Sequence, residues 1–378
     1  MFCKLIMVSE DNNNKYYEMR QTSDIQFESR YGRVGASPQV KYYHISKWYS
    51  TYNSKIKKGY KDITPAITIE KKIEMSNVND KISELMNVLY SSSKLQMSAN
   101  YLVDISSVTN TQLKKAKQYL SDAYYYSNTN KNVSDINSAL LELYKVIPRK
   151  MKNVKDYLIS RVSDFSKLYN DELDLLNNLV VQTEIIEDAN VYSSLNINID
   201  ICDDNDIIII NSLLNKENNC NKNKVSVKKA FKVTNNITDL KFNKYIDNSK
   251  NKTTELVWHG SRTENWLSIL KNGLIIKPAG AIHTGSAYGK GIYGSTCFDK
   301  SCNYTAGSNI FLSIQKFHVG NQYVYKGWYN NNDFELNYDE LRKRDYDSTL
   351  VLPGNGLLNN EYVIYKEDQT TINYLVWL

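Results

Sequence analysis

The spacing of hydrophobic and polar positions changes several times along this chain, and each change marks a different kind of element. Residues 15–20 and 26–31 alternate in the strand manner, and Gly32 and Gly35 around Arg33-Val34 mark a tight turn. Ile45, Trp48, Tyr49, Tyr52 and Ile56 then share one helical face, with Lys47, Lys55 and Lys58 off it. Residues 1–70 therefore read as a small strand-rich domain.

From residue 71 to 190 the period is helical. Ile82, Leu85, Met86 and Leu89 share a face, as do Leu113, Ala116, Leu120 and Tyr124. Ser134 suits the N-cap of a third helix, with Ile136, Leu140, Leu143 and Ile147 inward and Pro148 ending it. Leu158, Val162 and Phe165 begin another, which Leu173, Leu176 and Val180 continue. Packing alone accounts for this block.

Residues 191–378 mix the two periods. Residues 195–201 alternate strictly, Asp204 or Asp206 can cap a short helix through Ile208 and Leu214, 216–224 is a polar loop, and 230–233 is a strand. Asp203-Asp204-Asn205-Asp206 lacks the Gly and Glu of a calcium loop. Leu256-Val257-Trp258 runs into His259-Gly260-Ser261-Arg262, then into an amphipathic turn (Trp266, Ile269, Leu270) that stops at Gly273. That is a buried strand ending in a polar tip, where a ligand can reach both a side chain and bare backbone. We expect a dinucleotide there.

Composition narrows the classes. The chain has 378 residues, 42% hydrophobic and 23% charged, which suits two or three globular domains. Its 30 tyrosines and its Asn runs suggest an A/T-rich codon bias, so isolated Tyr and Asn carry little weight. Five cysteines without a CxxC pair predict free thiols in a reducing compartment and no zinc site. No apolar run approaches a membrane span, and the N-terminus turns polar at Ser9-Glu10-Asp11, too early for a signal peptide, so an intracellular protein is expected.

The net charge of +6 is uneven. Arg30, Arg33, Lys41, Lys47, Lys55, Lys57, Lys58 and Lys61 fall in a window with no acidic residue. Such a window can neutralise phosphates, with Tyr31 and Trp48 packing on sugars or bases. It equally suits a solvated basic face, and Trp48 lies on the apolar side of its helix.

Four later pieces carry the chemistry: His259-Gly260-Ser261-Arg262, Gly289-Lys290-Gly291-Ile292-Tyr293, Lys300-Ser301-Cys302-Asn303-Tyr304, and residues 357–365 around Glu361. Singly each is weak. A lone His is often structural, Gly289-Lys290-Gly291 is not a P-loop, and no Gly-x-Gly-x-x-Gly follows a strand.

Together these pieces resemble the catalytic domain of the poly(ADP-ribose) polymerase family, with His259, Tyr293 and Glu361 as its His-Tyr-Glu triad. Tyr16-Tyr17-Glu18-Met19 with Arg30-Tyr31-Gly32-Arg33-Val34-Gly35 is similar to the WGR domain, with Tyr31 where that domain has Trp. Gln112-Leu113-Lys114, Lys145-Val146-Ile147-Pro148 and Leu176-Asn177-Asn178-Leu179 resemble short motifs of the family's helical regulatory domain. The resemblance implies a multidomain α+β chain: a β-rich DNA-binding domain over 1–70, an all-α bundle over 71–190, and a mixed α/β, mainly antiparallel-sheet ADP-ribosyltransferase domain over 191–378. That is a short DNA-dependent member without zinc fingers.

The same resemblance implies the residue roles. NAD+ is the substrate, and no metal is needed. Gly260 backbone and the Ser301 hydroxyl would bind the carboxamide, while Tyr293 and Tyr304 sandwich the nicotinamide. His259 would hold the adenosine ribose, with Ser261 and Asn265 nearby and Ser268 at a further NAD+-contact position. Glu361 would engage the nicotinamide ribose 2′-hydroxyl and polarise the acceptor, with Lys300 steadying Glu361 or the acceptor. Leu357 and Leu358 would line the acceptor side. Tyr31, Arg33, Lys41, Lys47 and Trp48 would serve DNA binding, with Arg33 in the relaying position. Implied partners are DNA ends or nicks, acceptor proteins including the enzyme itself, and poly(ADP-ribose), with no membrane and a nuclear location. Ile275, Ser286 and Gly294-Ser295 depart from the family's usual Arg, Tyr and Phe-Ala. The rival readings are a mono-ADP-ribosyltransferase, a DNA-end-binding scaffold with a vestigial transferase fold, and an NAD+ glycohydrolase.

Overall fold

In the computed structural model, described over residues 1–11, 13–64, 72–75, 79–129, 131–216, 227–277, 287–325, 334–354 and 357–378, the chain separates into two compact units. One comprises Met1–Lys72 and Lys94–Ile186, the other Ile73–Ser93 and Glu187–Leu378.

The first unit holds β1 (Phe2–Ser9), β2 (Asn13–Gln21), β3 (Gln26–Arg33), β4 (Gln39–His44), α1 (Trp48–Lys57) and β5 (Lys61–Asp62). These strands make an antiparallel sheet in the order β4-β3-β2-β1-β5. The period of two splits β1 between two cores. Cys3 and Leu5 pack with Tyr17, Met19, Phe27 and Trp48. Ile6 and Val8 pack with the helices that follow. Those are α2 (Asp80–Asn100), which contributes residues to both units, α3 (Asn110–Asn128), α4 (Val133–Val146) and α5 (Phe165–Asp188). Arg149 and Glu172 are buried in this unit as an ion pair of 2.5 Å. Asn100 accepts from the guanidinium through its main-chain and side-chain oxygens, and Tyr144 donates to Glu172.

The second unit adds α6 (Val191–Leu195), β6 (Ile197–Ile201), α7 (Asp204–Leu214), β7 (Lys229–Asn235), α8 (Asn236–Asp247), β8 (Thr254–Gly260), α9 (Trp266–Asn272), β9 (Ile292–Gly294), α10 (Phe298–Cys302), β10 (Phe311–His318), β11 (Gln322–Tyr325), α11 (Tyr338–Arg342), β12 (Ser348–Val351), β13 (Glu361–Ile364) and β14 (Thr370–Trp377). One antiparallel sheet runs β6-β7-β14-β10-β8, and a smaller one runs β11-β12-β13-β9 with its first pair parallel. Val257 and Phe317 from the large sheet and Ile292 and Ile364 from the small one share a core. The mixed α/β, antiparallel character expected of this region is therefore present.

Several boundaries differ from the sequence reading. Asn132, not Ser134, caps α4, accepting from the Ser134 N–H, because the helix starts two residues earlier than expected. Residues 158–164 are not α-helical. The Asn137 amide bonds both main-chain groups of Ile159 at 2.9 Å, and a 3-10 turn over Val162–Asp164 then leads into α5 at Phe165. Asp203 caps α7, in a reciprocal box with Asp206. Leu195 ends α6, so the next strand starts at Ile197. Tyr49 is 70% exposed, which narrows the apolar face of α1. Of the polar loop, only Lys216 lies inside the described residues, and Ser286 lies outside them. Cys3, Cys202 and Cys302 are free thiols as expected, but Cys297 is disulfide-bonded. Among the described residues no helix is long and apolar enough to cross a membrane, and no group of three metal-ligating side chains occurs.

Candidate active site

The two sheets of the second unit are joined by one main-chain bridge among the described residues. The Trp258 N–H donates to the Ser295 carbonyl at 2.7 Å, and the Ser295 N–H returns to the Trp258 carbonyl at 3.2 Å. This lays the end of β8 beside β9, so His259 Nδ1 sits 2.9 Å from the Tyr293 carbonyl. A carbonyl only accepts, so Nδ1 carries the hydrogen and the neutral ring presents Nε2 as an acceptor. Burial pushes the imidazole pKa down, the hydrogen bond to Tyr293 opposes it, and the Lys277 charge pushes it down again. The ring is held neutral, with Nε2 able to accept a hydrogen bond.

Tyr293 is fixed at its far end. Its hydroxyl donates to the Gly289 carbonyl at 2.7 Å and accepts from the Tyr288 N–H at 3.0 Å. Burial raises its pKa above the ordinary phenol range. The ring is therefore a neutral, immobile wall. β13 runs antiparallel beside β9, with Val363 opposite Tyr293, so Glu361 opens the neighbouring strand. Glu361 is only 7% exposed, and Lys300 of α10 stands 3.1 Å from Glu361 Oε1. Burial raises the carboxyl pKa, and Lys300 opposes it. Burial is also the main cause of raised phenol pKa values at Tyr288, Tyr293 and Tyr304, and the Glu361 charge adds to each. One carboxylate thus acts on all three rings.

Gly260 closes β8 against α10. A Cβ there would lie 1.9 Å from the Ser301 main-chain oxygen, so no side chain fits without moving backbone. Ser301 is buried, and its hydroxyl donates to the Trp258 carbonyl at 3.0 Å. The Tyr304 N–H donates to the Ser301 carbonyl, and the Tyr304 ring is about half exposed. Asn265 donates to the Ser261 hydroxyl at 3.3 Å. Ser268 is buried on α9, and its hydroxyl accepts from Asn272. Leu357 packs in the same cluster as Tyr293, whereas Leu358 is 89% exposed.

The residues expected to serve DNA lie in the first unit. Lys41 and Lys47 are exposed. Tyr31 stacks on Tyr17 with ring centroids 5.3 Å apart. Arg33 donates to the Lys152 carbonyl at 3.4 Å. Trp48 is a correction: it is buried edge-on against Phe27, so its ring serves the core rather than an exposed stacking contact.

Sequence reasoning missed Asn360, Thr296 and Lys277. Asn360 accepts from Ser295, Thr296 and Lys300. Its position directly before Glu361 was the available signal.

Comparison with known proteins gives this geometry its family. The model of the poly(ADP-ribose) polymerase catalytic domain matches residues 204–378, which contain His259, Tyr293 and Glu361. A poly(ADP-ribose) polymerase-like protein, 100L, of Invertebrate iridescent virus 6 is 46% identical over 138 residues, covering 36% of this chain and 76% of the relative. The chain belongs to the poly(ADP-ribose) polymerase family. It is accordingly an NAD+ ADP-ribosyltransferase. Uncharacterized protein 101L of the same virus is 33% identical over 217 residues, covering 53% of this chain and 92% of the relative. Poly(ADP-ribose) polymerase 2 of Zea mays is 24% identical across 97% of this chain and 68% of its own length.

Within that family NAD+ is the substrate, and the residues here suit it. A neutral imidazole acceptor, a backbone edge bared at Gly260, an immobile tyrosine and a buried carboxylate line up along β8, β9 and β13.

Proposed function

We propose that this chain, on engaging DNA ends, transfers ADP-ribose from NAD+ to protein acceptors, itself included, and then extends it into poly(ADP-ribose). The observation that carries the polymer reading is the buried Glu361 with Lys300 at 3.1 Å. Breaking the C1′–N bond sends its electron pair out on neutral nicotinamide and leaves an oxocarbenium-like sugar. A nearby carboxylate stabilises that charge. The acceptor oxygen then forms the new C1′–O bond, and when it is a hydroxyl its proton passes to Glu361 and on to water. An apolar residue in place of Glu361 could not polarise a ribose hydroxyl for chain growth.

His259 Nε2 would accept from the adenosine ribose, Gly260 backbone and Ser301 would hold the carboxamide, and Tyr293 and Tyr304 would flank the ring. The DNA reading is supported by the acid-free basic window around Lys41 and Lys47 and by the resemblance of Arg30-Tyr31-Gly32-Arg33-Val34-Gly35 to the WGR domain. A nuclear site of action goes with it.

The test is incubation with labelled NAD+, with and without nicked or broken DNA, for wild type and Glu361→Gln. A DNA-dependent polymer ladder absent from Glu361→Gln is expected. Single protein-linked units would support mono-transfer instead, free ADP-ribose alone a glycohydrolase, and a rate indifferent to DNA would sink DNA activation.

A further inference from the structure

We infer that Asn360 is a positioning residue for the reaction: clamped by Ser295, Thr296 and Lys300, it sets where the Glu361 carboxylate stands. This rests on the reading of Glu361 as the carboxylate that acts on the ribose.

Glu361 is the first residue of β13, so strand pairing secures the chain beyond it, where Tyr362 and Val363 lie opposite β9. The chain before it is held by another means. The Asn360 side-chain oxygen accepts from the Thr296 hydroxyl at 2.9 Å and from the Thr296 N–H at 3.3 Å. The Asn360 main-chain oxygen accepts from the Ser295 hydroxyl at 2.8 Å and from Lys300 Nζ at 3.4 Å. The Ser295 oxygen accepts in turn from the Cys297 N–H at 3.1 Å, which aims its own hydrogen toward Asn360.

Two consequences follow from this geometry. The Asn360 carbonyl lies in the same rigid peptide plane as the Glu361 nitrogen, so gripping that oxygen orients the backbone from which the carboxylate projects. Lys300 meets both the Asn360 carbonyl and the Glu361 carboxylate, so one ammonium is located by the clamp and delivered to the acid. The clamp also ties Glu361 to the Ser295 bridge, and through it to the strand that carries His259. A carboxylate required within a fraction of an ångström of a reacting sugar gains directly from such support.

The full chain is tested as Asn360→Ala and Thr296→Val, each alone and combined with Glu361→Gln, by nicotinamide release at varied NAD+. Thr296→Val keeps the shape of the side chain and removes only the hydroxyl, and a thermal unfolding transition unchanged from wild type shows that the fold is kept. For Asn360→Ala we expect kcat to fall by about tenfold or more with the KM for NAD+ within about threefold, as loss of precise placement demands. Thr296→Val should lower kcat in the same manner by about threefold. In the Glu361→Gln background neither substitution should lower the residual rate further, because both act through the carboxylate. Full kcat in Asn360→Ala beside an inactive Glu361→Gln would overturn the clamp while leaving the role of Glu361 standing. So would an equal further fall in the Glu361→Gln background, which is what a merely structural role produces. A wild-type rate in Glu361→Gln itself would overturn the underlying reading, and the clamp with it.

Discussion

Lys300 Nζ stands 3.1 Å from Glu361 Oε1, and both side chains are largely buried. The two influences on this carboxyl oppose each other. Burial favours its neutral form, and the ammonium favours the charged one. Burial wins, so the acid titrates above the ordinary carboxylate range.

A pH profile follows with a definite sign. In the proposed reaction Glu361 acts ionised, so activity should fall as pH drops through its raised pKa, and the acid limb should lie above the ordinary value of about 4.3. Lys300→Met removes the influence that lowers the pKa. The limb should then move to higher pH, alongside a lower plateau. The readout is kcat for nicotinamide release across pH. An acid limb unmoved by Lys300→Met would separate the lysine from the titrating group.

Gly260 gives a second prediction. Its replacement by Ala puts a methyl group 1.9 Å from the Ser301 main-chain oxygen, so β8 and α10 must move apart. Overpacking of this kind costs about 1–3 kcal/mol, and here the strain lands on the backbone expected to grip the carboxamide. Gly260→Ala should still fold, with a slightly lowered Tm and kcat/KM for NAD+ down by more than about tenfold. Wild-type kcat/KM in a folded Gly260→Ala would show that this edge does not hold the substrate.

The first unit offers a stability test away from the chemistry. Glu172→Ala would strand Arg149 as a buried, unpaired charge and should cost about 3–5 kcal/mol in urea unfolding. Replacing both partners, as Arg149→Met with Glu172→Met, should cost less than the single change, because no uncompensated charge remains. A double variant weaker than Glu172→Ala would show that the hydrogen bonds from Arg149 to Asn100 outweigh its pairing with Glu172.

Much of this arrangement was legible in the sequence where a local pattern repeats a physical period. The buried face of α3 at Leu113, Ala116 and Leu120, and the buried run that enters His259, both follow from spacing alone. β1 escaped because it is apolar on two covered faces and does not alternate. The break before α5 escaped because Asn137, far away in sequence, ties down both main-chain groups of Ile159. Asn360 escaped for a third reason. In a chain crowded with asparagine its residue type stands out no more than any other, so only its place before Glu361 marked it, and the hydroxyls of Ser295 and Thr296 give that place its meaning. By sequence, Ser295 is only a departure from the family's usual alanine.

The bridge between Trp258 and Ser295 has a consequence for how such a site can change over generations. Both of its bonds belong to the main chain, so it makes no demand on the identity of either side chain. Substitutions can accumulate around it while the separation of imidazole and phenol stays the same. The geometry that sets His259 beside Tyr293 is then inherited as backbone, and side chains around it such as Asn360 and Lys300 are free to vary without rebuilding that frame.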